Sequence, residues 1–248
     1  MKKNLVISAS AIVFLWLIWL IAYFAVKNDY ILPSFWETFR SMGELLAGGA
    51  FWIAFSGSLL RTLAAFAVSL VFGVAFAVLA RCFTPVRAFF APIVSILRTL
   101  PTMAVILLLL SWRMTPTFAP VIVGVLVLFP AVYAAALASL DEVAQSYGRL
   151  AVVYNVGVRR KIFKMYLPLC APALLAQTGA ILSLGLKITV SGEVLSNTYR
   201  SLGGMMQSAK MFADIPTLLA LTIVCVLIGF ALEGLCFGAY KLIVRWRQ

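Results

Sequence analysis

Residues Asp141 to Pro168 read D-E-V-A-Q-S-Y-G-R-L-A-V-V-Y-N-V-G-V-R-R-K-I-F-K-M-Y-L-P. Apolar runs long enough to cross a bilayer flank this stretch on both sides. Inside it stand Arg149, Arg159, Arg160, Lys161 and Lys164, against only Asp141 and Glu142. The pattern predicts a short helix from about Gly148 to Tyr154. Asn155 or Gly157 would stop it, because both tolerate φ > 0. A second helix would run from Arg159 to Tyr166 and end near a break at Pro168. Two readings stay open: a helix–turn–helix that docks into a groove on a soluble partner, or a basic loop kept on the cytoplasmic face by its charge.

Working outward, the chain has 248 residues, 64% of them hydrophobic and 11% charged, with a mean hydropathy of +1.06. That excludes an ordinary soluble domain. In lipid the backbone must be helical or a closed barrel, and continuous rather than alternating apolar runs select helices. A net charge of +12 would suggest nucleic acid for a soluble protein. Here the cations sit in short loops between spans, so the charge reports orientation and no nucleic-acid partner is expected. Cys82, Cys170, Cys225 and Cys236 match no metal spacing and no disulfide framework, and there is no His.

Six spans are expected. Leu5–Val26 is the first; it is too long for a signal-peptide core. Ser34, after Pro33, is a candidate N-cap for an amphipathic helix on the membrane, with Phe35, Phe39, Met42, Leu45 and Leu46 on its apolar face. Ser56–Ala80 is the second span, with Arg61 in its first turns, snorkelling to the interface. Phe89–Trp112 is the third, broken at Arg98-Thr99-Leu100-Pro101. Phe118–Leu140, Pro168 to about Gly192, and Ile215–Ile243 complete the set. Leaving aside Arg98 and Lys187, twelve Lys and Arg fall on the side of the termini and six on the other, so both termini are expected in the cytoplasm. Residues 1–50 would then hold the first span and the outer amphipathic segment. Residues 51–248 would hold the main transmembrane domain, with the basic stretch at about 141–167 on its cytoplasmic side.

From about Ser56 to Trp246 the chain resembles the permease subunit of bacterial ABC importers, nearest the nitrate/sulfonate/taurine type. Four features carry the resemblance. The cytoplasmic stretch is similar to E-A-A-x-x-x-G-x9-I-x-L-P, with Arg149-Leu150-Ala151, Asn155, Met165 and Leu167-Pro168 in the matching places; Arg149 replaces the motif's Glu and Asn155 its Gly. Arg98-Thr99-Leu100-Pro101 resembles R-P-x-P. Ser191-Gly192-Glu193-Val194-Leu195 resembles A-E-x-L. Ser201-Leu202-Gly203-Gly204-Met205, followed by Asp214, resembles G-L-G-x-x-I…D. The resemblance implies an all-α, six-helix fold of the type I importer kind in a bacterial inner membrane. It implies a homodimer or pseudo-dimer of permeases, two cytoplasmic ATPase subunits and an extracytoplasmic solute-binding protein. The chain has no G-x-x-x-x-G-K-[ST] loop, so ATP and Mg would be bound by the partner ATPase and this chain would be neither an enzyme nor a cofactor carrier.

The motif's positions make Arg149, Leu150, Ala151, Tyr154, Asn155, Gly157, Arg159 and Arg160 the expected contacts to the ATPase. The expected substrate path holds Arg98, Thr102, Ser183, Lys187, Ser191 and Glu193. A charge inside an apolar run must face protein or water. Arg98 therefore meets an anion, or else a backbone carbonyl or Glu233. Ser183, Lys187 and Ser191 recur at i, i+4, i+8 and form a polar stripe suited to an anion; interhelical hydrogen bonding at a dimer interface is the other reading. Glu193 is a gate residue or one half of an ion pair. Glu233 is read as structural, beside the small-residue pair Gly234 and Gly238; Gly179, Gly185, Ala176 and Ala180 could serve close packing in the fifth span. Met205, Met206 and Met211 read as adaptable packing. Arg98 and Lys187 lean toward an organic or inorganic anion such as a sulfonate or nitrate, although vitamin precursors also move through this family. A stand-alone channel or secondary transporter would predict an internal repeat, and a membrane enzyme a clustered acid, base or metal site; neither is visible.

Overall fold

The computed structural model describes residues 2–26, 28, 31–154 and 157–244; for residues 2–9, 11, 12, 15, 149–152, 158, 159, 243 and 244 it describes the backbone only. Ten α-helices follow one another: α1 (Lys2–Val26), α2 (Phe35–Ala47), α3 (Gly49–Cys82), α4 (Thr84–Thr99), α5 (Thr102–Ser111), α6 (Ala119–Val153), α7 (Val158–Lys161), α8 (Leu167–Ser196), α9 (Leu202–Met211) and α10 (Ile215–Val244). A π turn, Ile162–Tyr166, joins α7 to α8. Four helices, α3, α6, α8 and α10, are each long and apolar enough to cross a bilayer. The expected third span is the pair α4 and α5, bent by 90° at Leu100-Pro101. Proline at the N-cap of α5 has no N–H to continue the ladder, and Leu100 before it is held extended at ψ 127°.

At the centre, α3 packs against α6 and α8. Its buried face is a column of small residues, among them Ala54, Ser58, Thr62, Ala65, Ser69, Gly73, Ala77 and Ala80. The spacing of three or four keeps them on one side of the helix, and small side chains let backbones approach where lipid supplies no hydrophobic drive. At Gly73 the approach is so close that a Cβ would lie 2.7 Å from Val132 Cγ1. Gly179 does the same between α8 and α10, where a Cβ would stand 3.0 Å from Glu233 Cα. Gly185 faces Leu128 and Thr62 across the α8 contact. Gly234 and Gly238, by contrast, face open space.

Ser34 caps α2 as expected, in a full capping box: its hydroxyl accepts from Glu37 N, and Glu37 accepts from Ser34 N. One face of α2 packs on α10 and places Met42 and Leu45 against Phe51, Leu221 and Val224. Trp36, Phe39 and Leu46 remain exposed, as on a membrane-surface helix. α1 meets this helix through Trp16 and Trp19, both edge-on to Phe35.

Three expectations need correction. The second span starts at Gly49, not Ser56, so Arg61 lies about three turns inside α3. There it is mostly buried and ion-paired rather than snorkelling. The basic stretch is not set off by its own short helix, since α6 runs without interruption from Ala119 to Val153. The polar residues from Asp141 onward lie within the same helix and do not stop it. Pro168 does not break the chain either. The π turn before it widens the helix, with Leu167 N–H reaching back to Ile162 O, which relieves the clash a proline ring makes one turn back. Gly157 is not in the left-handed region, and Asn155 lies outside the described residues.

Candidate functional site

One end of the bundle is built on Glu193, in the last turn of α8. This carboxylate is fully buried in α8. Ser58 Oγ donates to its Oε2 at 2.6 Å, Arg61 Nη1 to its Oε1 at 2.9 Å, and Gly203 N–H to Oε2 at 3.2 Å. Ser58 Oγ also accepts from Leu202 N–H at 2.9 Å, and Ser201 Oγ accepts from Gly204 N–H at 2.8 Å. The first three N–H groups of α9, which no helix can satisfy internally, thus all have partners from side chains. A carboxylate also sits at the positive end of that helix. Gly203 is required: a Cβ there would collide with Glu193 Cβ and the Val190 carbonyl. Gly57 is required as well, because a Cβ would stand 2.7 Å from the Arg200 carbonyl. Two buried polar atoms in this region, Arg61 Nε and Thr189 Oγ1, have no hydrogen-bond partner among the described residues. Beside this network lies a cavity of 710 Å³ whose wall includes Asn197, Arg200, Ser201, Ser208, Asp214 and Thr217.

The expected path residues do not share one environment. Ser183 is buried, with its Oγ 3.0 Å from where a Cβ on Gly229 of α10 would be. Lys187 and Ser191 lie on the uncovered face of α8, with Leu184 and Leu195. Each i, i+4 step rotates by about 40°, so the three positions drift from the covered side to the open side. Lys187 has no ion pair or side-chain hydrogen bond among the described residues. Thr102 is half-buried at the start of α5.

Arg98 stands in the last turn of α4, exposed in the single chain, with Nη2 donating to the Pro130 carbonyl at 3.4 Å. Pro130 lies inside α6 and leaves that helix short of one backbone donor. Ser69 Oγ also donates into this part of α6, at the Val125 carbonyl. Side chains from α3 and α4 thus reach carbonyls of α6 on either side of the one that this proline leaves without its helical donor. Glu233 does not meet Arg98. It is half-buried beside Ala176, Gly179, Ala180 and Gly234.

At the opposite end of α8, Tyr154, Gly157 and Arg160 are exposed. Arg149, Leu150 and Ala151 lie on the last turns of α6 and Arg159 on α7, where only the backbone is described. The root of this segment is packed: Tyr166 is buried with Leu140, Val143, Ala77 and Ala80. Sequence reading missed the small-residue column of α3 and the partners of Glu193. The first has a signal in the regular spacing of Ser58, Thr62, Ala65, Ser69 and Gly73. The second has none for Ser58 and Arg61, which lie 135 and 132 positions from Glu193.

Comparison with known proteins places this geometry. Residues 69–247 match the binding-protein-dependent transport system inner membrane component family. The chain is 25% identical over 220 residues to the taurine transport system permease protein TauC of Escherichia coli (strain K12), covering 87% of this chain and 80% of that protein. An amino acid ABC transporter crystallised with histidines superposes with a TM-score of 0.61 at 16% identity, over 78% of this chain and 93% of the other. The MetNI methionine ABC transporter in inward-facing conformations gives 0.65 at 15% identity, over 82% and 97%. The all-helical fold built on long apolar helices is that of type I ABC importer permeases. The chain belongs to the binding-protein-dependent transport system inner membrane component family and is the permease component of an ABC importer.

Proposed function

We propose that the chain, paired with a second copy of itself, forms the path for a small anion across a bacterial inner membrane. Both termini lie in the cytoplasm, and two separate ATPase subunits that bind ATP and Mg dock on the segment around 149–160. An extracytoplasmic binding protein delivers the solute to the outer face. The observation that carries the reading is the uncovered face of α8. A lysine and a serine stand there on a long apolar helix, with no ion pair or side-chain hydrogen bond among the described residues. A cation facing lipid costs about 2.5–3.5 kcal/mol at the bilayer centre, so Lys187 must face water or another protein surface. A wet path where two copies meet supplies both. Among anions a sulfonate is favoured, because one relative is a taurine permease.

The test is uptake of radiolabelled taurine, with nitrate and other sulfonates as competitors, by the permease–ATPase complex in proteoliposomes supplied with its binding protein. Lys187→Ala should assemble normally and lower uptake about tenfold, a loss of roughly 1.4 kcal/mol. Unchanged uptake kinetics would remove Lys187 from the path. Deleting residues 152–158 should release the ATPase while the permease stays in the membrane; full co-purification would refute the docking assignment.

A further inference from the structure

The end of the bundle opposite Glu193 carries a set of charges that the transport path and the ATPase-docking segment leave unused. Asp141 lies on α6 directly after the fully buried Leu140. Arg87, in the first turn of α4, meets it with both ends of its fork: Nη1 to Oδ1 at 3.3 Å and Nη2 to Oδ2 at 3.0 Å. Arg81, in the last turn of α3, approaches the same carboxylate from the other side, Nε to Oδ1 at 3.4 Å. That contact is an ion pair without hydrogen-bond geometry, since Nε has no hydrogen-bond partner. The Arg81 guanidinium also lies 6.0 Å from the centre of the Tyr166 ring, while Lys161 Nζ lies 5.4 Å from the same ring. Tyr166 ends the π turn and is buried.

These contacts add a directional tie between parts that are also packed through the core around Tyr166. The segment around 149–160 has two arms. One is the end of α6, which projects about 18 Å past Asp141. The other is α7 with its π turn. Arg81 touches both arms, Asp141 on the first and Tyr166 on the second. Arg81 and Arg87 bracket the turn between α3 and α4, and α4 leads directly to the 90° bend and Arg98. No other acid in the described chain bridges two cations.

We infer that Asp141 is a positioning residue that clamps the α3–α4 turn to the ATPase-docking segment, so that displacement of that segment is carried into α4 and its bend. The inference rests on the docking assignment above. The pairs are partly exposed, with side-chain exposures of 26% for Asp141, 33% for Arg81 and 48% for Arg87. Their contribution to stability is therefore small, and their value lies in fixing direction. The carboxylate charge holds both cations, and the bidentate Arg87 fork sets the angle.

The experiment uses the complete permease–ATPase complex in nanodiscs, with the four native cysteines replaced by alanine and Thr102→Cys as reporter beyond the bend. Two quantities are read: the ATP hydrolysis rate, and the rate of maleimide labelling of the reporter with ATP against ADP. No transported solute is required. With Asp141 intact the labelling rate should depend on nucleotide. Asp141→Asn should leave the ATPase bound and hydrolysis within about twofold, and should shrink the nucleotide dependence of labelling by about tenfold, the size of a typical coupling free energy. Asp141→Glu should restore most of it. Should Asp141→Asn fail to assemble, Arg87→Gln is read the same way, because it leaves the Arg81 pair in place. Hydrolysis and nucleotide dependence falling together, or the dependence surviving in Asp141→Asn, would overturn the inference. An ATPase that fails to co-purify with the unaltered segment would instead overturn the docking assignment.

Discussion

The buried pair of Glu193 and Arg61 makes a quantitative demand on stability. Glu193→Gln keeps the shape of the side chain, and its carbonyl oxygen can still accept from Ser58 and Gly203. What disappears is the counter-charge of Arg61, whose side chain is 14% exposed. Removing one partner of a buried ion pair costs about 3–5 kcal/mol, because the survivor is left uncompensated. Arg61→Met alone leaves the carboxylate in the same position and should cost a similar amount. Replacing both removes both buried charges. Met fills much of the volume of the guanidinium stem, and Gln keeps the hydrogen bonds to Ser58 and to α9. The double variant should therefore return to within about 1 kcal/mol of the native chain. The assay is unfolding free energy by denaturant titration in mixed micelles, run as a double-mutant cycle. A single Glu193→Gln variant as stable as the native chain, or a double variant worse than both singles together, would refute the reasoning.

Gly203→Ala should be among the most damaging single substitutions, since the new methyl collides with the Val190 carbonyl and Glu193; a loss of about 3 kcal/mol or failure to assemble is expected on the same titration. Gly234→Ala faces open space and should leave the unfolding free energy of the monomeric chain within about 0.5 kcal/mol of native, while any loss of the dimer on size-exclusion chromatography would mark that face as an interface. Arg98→Lys gives up a single 3.4 Å bond to the Pro130 carbonyl; thermal unfolding should report a loss of no more than about 1 kcal/mol. Ser34→Ala removes the hydroxyl of the capping box and should cost about 1 kcal/mol in α2, read by hydrogen exchange at Glu37 and Thr38.

Much of the fold is legible because lipid leaves the backbone few choices. Uninterrupted apolar runs around Ser69, Val125, Leu182 and Val224 can only be helices, and the structure has a long helix at each. Pro101 signals its bend and Ser34 with Glu37 its cap, since both act on the backbone a few residues away. The ends of helices are less legible. Asp141 and Glu142 look like the start of a loop, yet they lie within α6 and do not stop it. Pro168 looks like a break because the sequence does not reveal that one widened turn can absorb the ring. The buried network is illegible in principle. Glu193 and Arg61 have ordinary neighbours in the chain, and only the packing of α8 on the small-residue column of α3 brings them to 2.9 Å.

The charges inside the membrane separate what a single copy completes from what it leaves open. Arg61 and Glu193 neutralise each other and are closed off by Ser58, Leu202 and Gly203, so one copy suffices for them. Lys187 and Arg98 lie on exposed faces, and Glu233 in an open groove between α8 and α10. None of these three has an ion-pair partner among the described residues. Left against hydrocarbon, the two cations alone would cost about 5–7 kcal/mol, comparable to the whole stability of an ordinary domain. Such a cost is tolerated only where the group meets water, a solute or a second protein surface. The same three positions that make a lone chain unsuited to lipid therefore support a paired assembly around a wet path, and the two cations among them favour an anion within it.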